Sequence, residues 1–99
     1  MEIRWTEKVT GAEHRSSYRA WEGATIHEVA TEHGTVIVYV DDGTAYTRKR
    51  PFAVLSIIAG GRRYSSGRHD LRKVPTDTGV ARMAGRFARM VAADREATP

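Results

Sequence analysis

The chain has 99 residues, a formal net charge of +4 and no cysteine, which excludes disulfide frameworks and thiolate metal sites and fits a reducing cytoplasm. A chain of this length buries about two thirds of the surface its unfolded state exposes, enough for one modest core, so residues 1–99 read as a single domain with its core at about 2–93. Charged residues throughout the first twenty positions leave no apolar stretch for a secretory leader, and the longest apolar run, 52–59, is less than half the roughly 18 residues of a spanning helix.

Nine valines, five isoleucines and ten threonines against two leucines and three methionines favour pleated strands over most of the chain. Residues 2–9 alternate Ile3 and Trp5 with Arg4 and Thr6, the period of a half-buried strand. A polar loop follows, then a short strand over 17–21. Residues 24–33 carry two conflicting signals. Thr25 and Glu28 have capping-box spacing, and Ile26, Val29, Ala30 and His33 recur at helical intervals. Against a helix stand the β-branched Thr25, Ile26, Val29 and Thr31, and the strand that follows at 35–41 offers a hairpin partner about Glu32, His33 and Gly34. The hairpin is the preferred reading.

Val36, Ile37, Val38, Tyr39 and Val40 are apolar on both faces, as in a central strand. Asp41, Asp42, Gly43 and Thr44 suggest a hairpin turn leading into a strand that starts near Ala45 and carries Tyr46. Pro51 marks an edge or break before a second core strand at 52–59. Gly60 and Gly61 turn the chain, Arg62 to Tyr64 return as a short strand, and Ser65, Ser66 and Gly67 read as a loop. Thr76, Asp77 and Thr78 offer capping side chains for a helix at about 80–93, with 94–99 as a frayed tail. At 100° per residue, Val80, Met83, Ala84, Phe87 and Val91 share one stripe, and Arg82, Arg86 and Arg89 lie on nearly the opposite face. The expected fold is α+β: an antiparallel sheet of four to six strands with the C-terminal amphipathic helix packed on one face, Val80, Met83, Phe87 and Val91 meeting Ile3, Trp5, Val36, Val38 and Ile57. Unpaired sheet edges leave room for a homodimer.

Charge divides the chain. Residues 1–47 hold four basic and eight acidic side chains, a net of −4, whereas 48–99 hold twelve basic and four acidic, a net of +8. Such asymmetry points to an anionic partner, set against mutual neutralisation of the two halves in the fold. The phosphate-contact candidates are Arg48, Lys49, Arg50, Arg62, Arg63, Arg68, Arg72 and Lys73, with Arg82, Arg86 and Arg89 as a second row and Tyr64 as a base-stacking aromatic. The glycines and hydroxyls of 60–68 could also cradle an anion, without the residue order of a nucleotide-binding loop.

Catalytic signals are weak. His14, His27, His33 and His69 lack metal-ligand spacing, so no metal site is expected. Ser65, Ser66, His69 and Asp70 adjoin in sequence without the context of a nucleophile elbow, so no catalytic residue is assigned and no cofactor is implied. The function expected is non-enzymatic nucleic-acid binding, to DNA or RNA with little sequence preference. The alternatives are a protein-interaction module that binds an acidic partner or pairs at a sheet edge and, at a lesser level, a metal-independent ribonuclease using arginine with His69 or Tyr64. Membrane binding is not expected, because the helix's apolar stripe is needed for the core.

Overall fold

A computed structural model describes residues 4–5, 23–44 and 50–97. Five strands form one antiparallel sheet: β1 (Arg4–Trp5), β2 (Ala24–Thr31), β3 (Gly34–Asp41), β4 (Phe52–Ala59) and β5 (Arg62–Asp70), in the spatial order β1-β5-β4-β3-β2. Among the described residues one helix, α1 (Asp77–Ala97), follows and packs on one face. This is the expected α+β architecture. Of the residues placed in the first strand, only Arg4 and Trp5 are described; Ile3 and the strand expected at 17–21 lie outside the described residues.

The helix-or-hairpin ambiguity resolves as a hairpin. β2 and β3 pair over eight consecutive positions, from Ala24 opposite Asp41 to Thr31 opposite Gly34, around the two-residue turn of Glu32 and His33. An eight-pair ladder to an apolar central strand outweighs one local capping box. β3 is central, with Val36, Ile37, Val38, Tyr39 and Val40 all buried.

β3 is flanked by β2 and β4, with Asp41 opposite Phe52. The Asp41 carboxylate accepts from the Tyr39 hydroxyl at 3.1 Å and the Gly43 amide at 2.8 Å, and Asp42 accepts from the Thr44 amide and hydroxyl. Gly43, at φ 81°, lies so close to Arg50 that a Cβ there would clash with the Arg50 backbone. Residues 45–49, including Tyr46, Arg48 and Lys49, lie outside the described residues.

β5 is longer than expected and includes the segment read as a Ser65–Ser66–Gly67 loop. Its register against β4 shifts between Val54 opposite Arg68 and Ser56 opposite Ser65, so Ser66 and Gly67 together face Leu55: a β-bulge, with Gly67 at φ 68°. The buried Ser66 hydroxyl accepts the Leu55 amide at 2.9 Å and donates to the Gly67 carbonyl at 2.7 Å. A side chain thus supplies the acceptor that the irregular ladder withholds.

α1 begins where the capping signal places it. Thr76 accepts the Gly79 amide on its hydroxyl at 3.1 Å and the Val80 amide on its carbonyl at 2.9 Å. The helix continues to Ala97, beyond the expected end near residue 93, with Arg95 in the last turn where a cation complements the helix dipole. Val80, Ala84, Phe87, Ala88 and Val91 are buried against Val36, Val38, Val40, Leu55, Ile57 and Tyr64, with Met83 packed at the margin. Each fully buried large apolar side chain contributes roughly 1.5–3 kcal/mol. The opposite sheet face holds a second cluster, Ala24, Tyr39 and Phe52, flanked by Ile26 and Val54.

Candidate nucleic-acid interface

Alternation along the strands and the 3.6-residue period of the helix decide where each cation points. In α1 the apolar stripe turns inward, so Arg82, Arg86 and Arg89 project to solvent and all three are exposed. Spacings of four and three residues put them on one face, spread over about 10 Å of helix axis. No acidic residue occurs between Thr78 and Ala93, and among the described residues no ion pair neutralises these arginines.

The other candidates separate into three groups. Arg50, Arg72 and Lys73 gather at the end of the sheet where α1 begins. The Arg50 guanidinium donates to the Leu71 carbonyl at 3.4 Å, which holds it beside the exposed Arg72 and Lys73. Arg62 and Arg63 lie at the opposite end, beyond the Gly60–Gly61 turn, with Arg62 exposed and Arg63 half-buried opposite Ile58. Arg68 is engaged on the face opposite α1: its Nε contacts Asp70 at 3.1 Å and its guanidinium stacks 4.3 Å above the Phe52 ring.

Tyr64 corrects the sequence reading. It is opposite Ile57, faces α1 and is only 1% exposed, so its ring is core and offers no platform to a base. Alternation from the half-buried Arg63 turns it inward. Most of the proposed anion cradle over 60–68 is likewise strand: residues 62–68 belong to β5, the Ser66 hydroxyl is committed to the bulge, and the Ser65 hydroxyl accepts the Gly67 amide at 3.2 Å.

The residues weighed for ribonuclease action lie on the helix side of the sheet, away from Arg68. Tyr64 is enclosed, and His69, in register with Ala53 on the helix side, faces away from Arg68. His27 contacts the Thr25 hydroxyl at 3.1 Å and His33 lies 3.4 Å from Glu32. No three histidine or carboxylate side chains stand together as a metal site among the described residues. The Asp42 carboxyl is held below its ordinary pKa by the side-chain hydrogen bond from Thr44, and next by the Thr44 backbone amide.

Sequence reasoning missed a groove of about 270 Å³ between the end of α1 and the β2–β3 turn, with Glu32, His33 and Arg95 at its rim over Ile57, Ala59 and Val91. No spacing signals it, because Arg95 and His33 meet only through tertiary packing. Among the described residues, no helix is long and apolar enough to cross a membrane. Comparison of the chain with protein-family models, with curated proteins and with solved structures finds no match.

Proposed function

We propose that this protein binds the phosphate backbone of nucleic acid, DNA or RNA, through the outer face of α1, in the cytoplasm and without catalysis. The observation that supports this reading is the row Arg82, Arg86 and Arg89: three exposed guanidiniums on one face of a helix that has no acid between Thr78 and Ala93. Guanidinium forks pair with phosphate oxygens in bidentate geometry, and a rigid helix fixes their spacing. Over the same 10 Å or so, duplex DNA presents about six charges, so three contacts fit without distortion.

Arg72 and Lys73, exposed ahead of the helix, extend the positive surface toward its N-terminus. Contacts of this kind position a protein on the backbone and carry no sequence information, so little sequence preference follows. With Tyr64 enclosed, affinity rests on charge and falls as salt rises.

The test is fluorescence anisotropy with labelled single-stranded and duplex DNA and RNA at low salt, comparing wild type with the triple variant Arg82→Glu, Arg86→Glu, Arg89→Glu. Binding by wild type and loss in the triple variant support the reading. A wild type that binds none of the probes overturns it, and the basic surface is then assigned to an acidic protein partner.

A further inference from the structure

We propose that the groove between the last turns of α1 and the β2–β3 turn binds a free aliphatic α-amino acid of the size of leucine. The inference does not rest on nucleic-acid binding, which uses the outer face of the same helix. Ala88, Val91, Ala92 and Arg95 stand at i, i+3, i+4 and i+7 and so form one patch of the α1 surface. Ile57 and Ala59, two residues apart in β4, point to the same side of the sheet. Val36 opposite Ile57 sets the start of β3 beside the end of β4, which brings the Glu32–His33 and Gly60–Gly61 turns to the same end of the sheet. The space between these elements is about 270 Å³. Clefts that take drug-sized ligands run to roughly 300–1,000 Å³, so this one suits a smaller molecule.

Floor and rim differ in chemistry. Ile57, Ala88 and Val91 are buried and Ala59 and Ala92 half-buried, so the floor is aliphatic and its alanines leave the volume unfilled. The Arg95 guanidinium rests on the β4–β5 turn: Gly60 has φ 60°, and a Cβ there would collide with Arg95 Nη2. That seat fixes a positive pole, and among the described residues no hydrogen bond or ion pair engages it. The Glu32 carboxylate supplies the negative pole, with His33 Nε2 at 3.4 Å from one of its oxygens.

The formal charges of Arg95 and Glu32 cancel, so the rim is neutral overall but polarised. Such a rim over an apolar floor is complementary to a zwitterion with an aliphatic tail. The ligand carboxylate takes the Arg95 fork, its ammonium takes Glu32, and its side chain covers Ile57 and Val91. A carboxylate without the ammonium leaves Glu32 facing a like charge, and an amine without the carboxylate leaves Arg95 unanswered.

The test is an NMR titration of the isotopically labelled full chain without nucleic acid. L-Leucine should give saturable shifts at the amides of Glu32, His33, Gly60, Ala92 and Arg95, with Kd on the order of millimolar for so small a ligand. Isocaproate, which is leucine without its ammonium, and isoamylamine, which is leucine without its carboxylate, should each bind about tenfold more weakly. Glycine, which lacks the tail, should not saturate. Arg95→Gln changes an exposed position and should abolish leucine binding with Tm unchanged. Glu32→Gln should bring leucine and isocaproate to equal affinity. Ala92→Leu fills the groove from the helix side and should also abolish binding. An absence of saturable shifts with L-leucine, leucine binding retained in Arg95→Gln, or isocaproate binding as tightly as leucine overturns the proposal. Tighter binding of N-acetyl-leucine, which mimics the end of a polypeptide, overturns it as well and reassigns the groove to a protein C-terminus.

Discussion

Ser66→Ala is the most informative single perturbation of the fold. The bulge leaves the Leu55 amide without a backbone acceptor in the regular ladder, and the Ser66 hydroxyl fills that role at 2.9 Å in a site where Leu55 is fully buried. Alanine removes the acceptor and cannot admit water to replace it, so the variant bears the cost of an unsatisfied buried donor, about 1–3 kcal/mol. The Gly67 carbonyl also loses its partner, although it is only partly buried and solvent compensates. Taking about 2 kcal/mol, and about 4–8 °C per kcal/mol for a domain of this size, Tm should fall by roughly 8–16 °C. The assay is urea and thermal unfolding followed by circular dichroism, with Ser65→Ala as the control. Ser65 makes a longer, half-buried bond to the Gly67 amide, so its loss should cost less than about 1 kcal/mol. If Ser66→Ala unfolds within about 0.5 kcal/mol of wild type, the hydroxyl does not replace a ladder acceptor and the account of the bulge fails.

Three further predictions follow from local geometry. Gly85→Ala should stabilise the protein by up to about 1 kcal/mol in denaturant titration, because a Cβ there meets only the Arg89 Nη1 at 3.6 Å and alanine is the better helix former. Thr76→Ala should destabilise by about 1 kcal/mol through loss of the bond to the Gly79 amide, and Thr76→Ser should recover most of it in the same assay. For Asp42, whose pKa is lowered in the folded state, the stabilisation is present above the unfolded-state pKa and is lost as pH falls through the folded one. Thr44→Val should move the Asp42 titration upward in an NMR pH series; an unchanged titration would remove Thr44 as the cause.

Elements whose local pattern agrees with their packing were legible. α1 is one: its capping threonine, its apolar stripe and its arginine face all appear in the structure as spacing implies. β3 is another, because five consecutive apolar residues require a strand covered on both faces. Legibility stopped where tertiary pairing overrides local chemistry. Ser65, Ser66 and Gly67 have loop composition, yet a bulge absorbs them into β5.

The same limit governs the candidate surface. Clusters of arginine were visible in the sequence, but their division into the outer helix face, the Arg50–Arg72–Lys73 end and the Arg62–Arg63 end depends on how the sheet and helix pack. Tyr64 sits beside Arg63 in the chain and faces the opposite side of the sheet, into the core, because it pairs with Ile57. Neighbours in a basic cluster are therefore not neighbours on a surface, and only the period of the element separates them.

The most direct test of phosphate binding by α1 is the salt dependence of duplex-DNA affinity for wild type and for Arg86→Ala. If the three helix arginines are the contacts, the plot of log K against log salt has a slope of about −2.7, and Arg86→Ala makes it shallower by about 0.9. A wild-type slope near zero, or one that Arg86→Ala leaves unchanged, would contradict the assignment of phosphate contacts to the outer face of α1.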